Sequence, residues 1–290
     1  MMSLREIIKN AWEQKKAILH INVADMAMFN AVATVAKKHE TPIIMGVSEG
    51  ERAFWGEKRI AALVQTARKE GIPLFLNADH THSFEKIKIA VEAGFDAVLF
   101  DAGALPLEEN IRETRHVVEF VSQYNYKNGT NVLVEAELGY IGAGSIILEE
   151  VPKDAAQRPE DLTSPQDALR FVQETGIDML APAVGTLHGM LAHSANPHID
   201  LERIKAIQEI AHIPLVLHGG SGTPQEDVKK ATHNGITILH ISTQLRVAWK
   251  RALDMALLSN PKEIAPYKIF TDVSKTLEKT VEDILTMIEN

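Results

Sequence analysis

Eight short apolar runs, each followed by an amphipathic stretch, constrain this chain more than any other feature. They cover 17–23, 42–48, 73–79, 97–102, 131–138, 179–184, 214–219 and 238–243. Each is too short for a helix and lacks strict apolar/polar alternation, as expected for parallel strands buried on both faces. Helical periodicity fills 26–38, 57–70, 83–93, 107–122, 164–175, 199–209 and 224–234. Gly71, Gly94, Gly176 and Gly235 each follow an amphipathic run and precede an apolar one, marking helix C-termini. Ser83, Thr163 with Ser164, and Thr223 with Pro224 mark helix starts. Eight strand-then-helix units predict an α/β chain of the (β/α)8 (TIM) barrel type; an open doubly wound sheet seldom needs so many regular units. A helix over 247–258 and an Asp/Lys/Glu-rich tail helix follow. The expectation is a barrel with additional C-terminal helices, filling 1–290 as one domain with no linker.

The barrel gives three histidines a common destination. They stand in Ala-Asp79-His80, Gly-Thr-Leu-His188-Gly189 and Leu-Val-Leu-His218-Gly219-Gly220-Ser221-Gly222, at or after the third, sixth and seventh apolar runs. Side chains at the C-terminal ends of barrel strands converge on one rim. Neutral imidazole is the commonest metal ligand, and three imidazoles with one open coordination position make a catalytic zinc site. His82 shares the strand-side parity of His80 and is an alternative ligand. Asp79 adds a proton carrier beside the first imidazole. The Gly219-Gly220-Ser221 turn at a helix start offers N–H groups and a hydroxyl to an oxyanion. The pattern points to a metal-dependent enzyme acting on a small phosphorylated carbon skeleton.

Composition narrows the chemistry. With no cysteine, disulfides, thiolate nucleophiles and thiolate-held zinc are excluded, so any metal rests on His, Asp and Glu. A net charge of −9 argues against nucleic acid or an anionic membrane as partner. No apolar run approaches the ~20 residues that span a bilayer. The first ten residues form an amphipathic helix pattern rather than a signal peptide, so the expected location is cytoplasmic.

Over almost its whole length the chain resembles the class II (zinc-dependent) fructose- and tagatose-bisphosphate aldolases. The resemblance is carried by Ile-Asn22-Val, Val-Ser48-Glu-Gly, Ala-Asp79-His80, Phe-Asp101, Val-Glu-Ala-Glu137-Leu-Gly, the Thr-Gly-Ile-Asp stretch through His188-Gly189, and His218-Gly-Gly-Ser. It implies one catalytic Zn2+ per subunit on His80, His188 and His218, with Asp79 as the acid/base at the hydroxyl of the carbon undergoing cleavage. It implies Asp101 and Glu137 as a second or alternate ligand set, which allows a further divalent or monovalent cation. Asn22, Ser48, Gly189, Gly219, Gly220, Ser221, His240, Ser242, Thr243 and Arg246 correspond to substrate-binding positions, with Arg246 and Ser48 at the distal end. The implied reaction is reversible cleavage of a ketose bisphosphate to dihydroxyacetone phosphate and an aldehyde phosphate, by a homodimer or homotetramer.

The chain also departs from this pattern. The family commonly has Asn at the position of His240, Asp or Asn at Ser242, and a phosphate-binding Lys at Ala192. Its mobile acidic loop is replaced here by Gly-Ala-Gly-Ser145-Ile-Ile-Leu-Glu149-Glu150, with no acid at Ser145. His193 or His240 could compensate for the missing lysine, and Glu149 or Glu150 for the missing acid. These departures motivate a second expectation, an aldolase for a singly phosphorylated or acid sugar. A non-catalytic sugar-phosphate-binding barrel is the remaining alternative.

Overall fold

The structure, a computed structural model, describes residues 2–142, 144–152 and 158–289. Eight parallel strands close into a barrel in the order β1 (Ile18–Asn22), β10 (Ile236–Ile241), β9 (Leu215–Leu217), β7 (Met179–Pro182), β5 (Leu133–Leu138), β4 (Ala97–Phe100), β3 (Leu74–Thr81) and β2 (Ile43–Val47). Two further strands, β6 (Ile147–Leu148) and β8 (Met190–Leu191), pair with each other in the loops above β5 and β7.

Helix ends follow the expected chemistry. Gly94 and Gly176 are left-handed C-caps, and Gly71 and Gly235 follow their caps with positive φ. Ser83 and Ser164 accept N-cap hydrogen bonds from Lys86 and Asp167. Some boundaries move. The helix expected from Leu107 runs to Asn128, where Gly129 takes the left-handed turn that ends it. The last barrel strand ends at Ile241, and Ser242 and Thr243 open the helix Thr243–Ser259 instead. The helix Glu49–Trp55 was not foreseen: seven residues with an internal Gly give too little periodicity to read.

Period two along the strands sorts the side chains. Leu19, Ile21, Ile43, Met45, Leu74, Leu76, Val134, Leu180 and Leu239 pack outward against the helices. The alternate residues fill the barrel in layers. Ile18, Ile44, Phe75, Ala97, Leu133, Met179, Val216 and Ile238 form the lowest layer, sealed by Leu4, Ile7 and Ile8 of the N-terminal helix Leu4–Glu13. One step up, five strands turn polar inward, with His20, Asn77, Glu135, His218 and His240 all buried, while β2, β4 and β7 present Gly46, Leu99 and Ala181. The next step up, Asn22, Asp79 and Glu137, reaches the C-terminal rim.

Candidate active site at the C-terminal rim

The rim encloses a cavity of about 210 Å³. Of the residues expected at the site, Asn22, Ser48, Asp79, His80, Asp101, His188, Gly189, His218, Gly219, Ser221, His240, Ser242, Thr243 and Arg246 line it. Glu137 faces an adjoining cavity that shares Asp101. Gly220 stands behind the wall with its N–H donated to the His240 carbonyl at 3.1 Å, so it supplies shape rather than a donor. Glu149 and His193 are exposed and pair with each other at 3.4 Å, and neither they nor Glu150 is among the lining residues. Ser145 does line the cavity, and its hydroxyl donates to Ser242 Oγ at 3.0 Å, drawing the loop after β5 over the rim.

His80 reaches the rim through an irregularity in β3. Strict alternation would turn Asp79 and His80 to opposite faces. The register between β3 and β4 slips between Ala78 and Thr81, and His80 has φ of +40°, in the left-handed region. Such a bulge re-aims a side chain at local conformational cost. Here it lets two consecutive residues serve one site. His82 is mostly exposed and belongs to none of the ligand-like clusters, so the geometry selects His80.

The three imidazoles stand nearly perpendicular to one another, and each offers one ligand atom within 4.8 Å of the others. Each ring has its other nitrogen held from behind. His80 Nδ1 bonds Asp101 Oδ2 at 2.7 Å, His188 Nδ1 bonds the Gly142 carbonyl at 2.8 Å, and His218 Nε2 bonds Glu135 Oε1 at 2.8 Å. The remaining His218 nitrogen, Nδ1, is buried without a hydrogen-bond partner. Outer carboxylates and carbonyls that fix tautomer and ring orientation are the usual support of metal-ligating histidines. The donor set therefore fits a nitrogen-preferring ion such as zinc. A second cluster of His80, Asp101 and Glu137 lies beside it.

The field at this point favours a cation. Burial opposes charge on His80, yet Asp79, Asp101 and Glu137 outweigh it and push its pKa up to about 10. Burial and the charge at His80 lower His188 to about 4, and burial with His240 and His80 holds His218 well below the usual range. Burial and Asp101 push Glu137 well above a normal carboxyl. Burial also raises Asp79, but His80, His240 and His20 reverse this and hold it ionised well below its ordinary value. Asp79 Oδ2 accepts from Asn22 Nδ2 at 2.9 Å, whereas Oδ1 makes no hydrogen bond and lies 3.5 Å from His240 Nδ1.

Four participants escaped sequence reasoning. The His20 ring stacks on His240 with centroids 3.5 Å apart and planes 5° from parallel. It fits because Gly46 lies beneath it, where a Cβ would fall 2.1 Å from the ring. Asn77 bonds the other side of His20 at 3.2 Å, Glu135 orients His218, and Glu51 accepts from Asn22. Following every second residue down the strands from the rim would have found the first three. Glu51 lies on the unforeseen helix.

Gly219 controls how two ligand loops meet. Its φ is +67°, and a Cβ there would fall 2.3 Å from the carbonyl oxygen of Leu187, the residue before His188. Gly219→Ala should destabilise the fold by about 1–3 kcal/mol and move His188 relative to His218. Thermal unfolding and metal affinity measured on the same preparation check both effects. An alanine variant with unchanged melting and affinity would mean the loops have slack here.

The comparisons with known proteins agree with this geometry. The family model "Fructose-bisphosphate aldolase class-II" matches residues 2–290. A fructose-bisphosphate aldolase of Geobacillus stearothermophilus is 32% identical over 285 residues, covering 97% of this chain and 94% of the relative. One from Staphylococcus aureus strain Mu50 is 32% identical over 287 residues, covering 97% and 95%. Among solved structures, the YdjI aldolase of Escherichia coli K12 superposes with a TM-score of 0.80 at 28% identity, covering 99% of this chain and 97% of that one. The rim site and the full-length matches together place this chain in the class-II fructose-bisphosphate aldolase family.

Proposed function

We propose that this chain is a zinc-dependent aldolase that reversibly cleaves a phosphorylated ketose to dihydroxyacetone phosphate and an aldehyde. The reading is carried by three back-supported imidazoles beside a buried carboxylate with one oxygen that makes no hydrogen bond. His80, His188 and His218 would hold the ion, which when bound supplies Lewis-acid polarisation of the ketone carbonyl. Asp101 orients His80, and Asp101 with Glu137 would serve a second divalent or monovalent cation. Asn22 anchors Asp79 Oδ2, leaving Oδ1 to take the proton of the C4 hydroxyl. As the C3–C4 bond breaks, C4 becomes the aldehyde carbonyl and the bonding electrons stay with the C1–C3 fragment. That fragment takes a proton from water at C3 and leaves as dihydroxyacetone phosphate, and Asp79 gives up the C4 hydroxyl proton to water, so no proton is gained or lost overall.

One phosphate belongs at the ends of β9 and β10. Ser221 Oγ accepts from the N–H groups of Ser242 and Gln244 at 3.2 Å each, so its own proton is available to an anion, alongside the Thr243 hydroxyl. Gly189 and Gly219 line the same cavity. Fructose 1,6-bisphosphate is the first substrate to assay, because the relatives are named fructose-bisphosphate aldolases, and an epimer such as tagatose 1,6-bisphosphate is the second. A cytoplasmic homodimer or homotetramer is the corresponding expectation, and light scattering that shows a monomer counts against it.

The metal assignment has a direct check. Exhaustively dialysed protein should retain zinc at one ion per subunit by elemental analysis, and replacing His80, His188 and His218 together with Ala should remove it. Unchanged metal content in the triple variant would refute the ligand set.

A further inference from the structure

The end of the cavity near β1 and β2 holds a fixed cation that is already spoken for. Arg246 is the only arginine or lysine lining the cavity among the described residues. Its Nη2 lies 2.5 Å from Glu51 Oε1, and the Glu51 side chain is only 7% exposed. Glu51 Oε2 accepts from the Ser48 N–H at 2.7 Å and from Asn22 Nδ2 at 3.1 Å, so the carboxylate is held in place at both oxygens. The Ser48 contact alone would be an ordinary helix-start arrangement. It uses one oxygen, while the other is aimed at the guanidinium.

We propose that Glu51, by pairing with Arg246, makes this end of the site selective for an uncharged hydroxylated terminus, so that the substrate is a ketose carrying a single phosphate on its ketone side. This rests on the aldolase reading above and adds a specificity determinant to it. A phosphate dianion entering here would meet an arginine whose charge is already balanced by the carboxylate behind it, and would feel that carboxylate's repulsion while bonding only the guanidinium N–H groups that Glu51 leaves free. A terminal hydroxyl can accept from the guanidinium N–H groups that Glu51 leaves free, and it brings no net charge to set against the carboxylate behind them. At the opposite end, Ser221, Ser242 and Thr243 supply donors with no carboxylate among them. The products are then dihydroxyacetone phosphate and an unphosphorylated hydroxyaldehyde, with the same bond broken and the same proton moved.

The test compares hexitol 1-phosphate with hexitol 1,6-bisphosphate by titration calorimetry on the metal-loaded enzyme, since these polyols lack the carbonyl and report binding without turnover. Cleavage of fructose 1-phosphate and fructose 1,6-bisphosphate is measured alongside. Wild-type protein should bind the bisphosphate no more than 3-fold better than the monophosphate. Glu51→Gln, which keeps acceptors for Ser48 and Asn22, and Glu51→Ala should each shift that ratio at least 10-fold toward the bisphosphate. A wild-type preference for the bisphosphate above 10-fold, or a ratio that moves in neither variant, overturns the proposal. If the binding ratios shift as expected but neither ketose is cleaved, the aldolase reading falls and the charge assignment at Glu51 stands.

Discussion

Asp79→Ala should lower kcat by roughly 10²–10⁴-fold, the usual contribution of a positioned acid/base. Metal content should be retained, because the ligand nitrogens are supported by Asp101, Gly142 and Glu135 rather than by Asp79. Asp79→Asn sharpens the test. It preserves volume and an acceptor for Asn22 Nδ2 but cannot take the substrate proton. Both variants should therefore lose turnover alike, with KM changed far less than kcat. Near-normal kcat in the asparagine variant would reduce Asp79 to an orienting part and return the proton-transfer role to an unassigned group.

The second large effect falls on stability. Arg52 is 1% exposed, and its guanidinium binds the Val47 carbonyl at 2.7 Å, the Asp79 carbonyl at 3.0 Å and Thr81 Oγ1 at 2.9 Å. It thereby ties β2 to the irregular end of β3, on which Asp79 and His80 sit. Arg52→Ala leaves these acceptors buried without a donor and should cost about 3–5 kcal/mol. At roughly 2 °C per kcal/mol for a chain of this size, the melting midpoint should fall by about 6–10 °C. A loss below about 1 kcal/mol would show that the end of β3 is held by other contacts. Arg52→Lys should recover only part of the loss, since an ammonium cannot span three acceptors in a planar fork.

The barrel was legible because both faces of its strands are buried, so the strands read as continuous apolar runs between glycine-capped helices. The ligand-like histidines were legible for a related reason: each stands where such a run gives way to polar sequence. His20, Asn77 and Glu135 were hidden by the same apolar runs. A lone polar residue inside Ile-Leu-His20-Ile or Leu-Val-Glu135-Ala looks like an interruption until its neighbours across the barrel are known. Glu51 was hidden differently, because its partner Arg246 is 195 residues away and no local pattern links them. The turn at His80 also has no local signature, since it depends on how β3 slips against β4.

The closed lower end of the barrel has a kinetic consequence. Leu4 and the layer from Ile18 to Ile238 seal it, and the gap between that layer and His20, Asn77, Glu135 and His240 is too small for a water molecule. Substrate, product, protons and any ion must therefore all reach the site from the rim end. Traffic through the rim doorway is competitive: a bound sugar covers whatever lies beneath it. A chelator should strip an idle enzyme quickly and a saturated one slowly, with the rate set by the fraction of time the doorway stands empty.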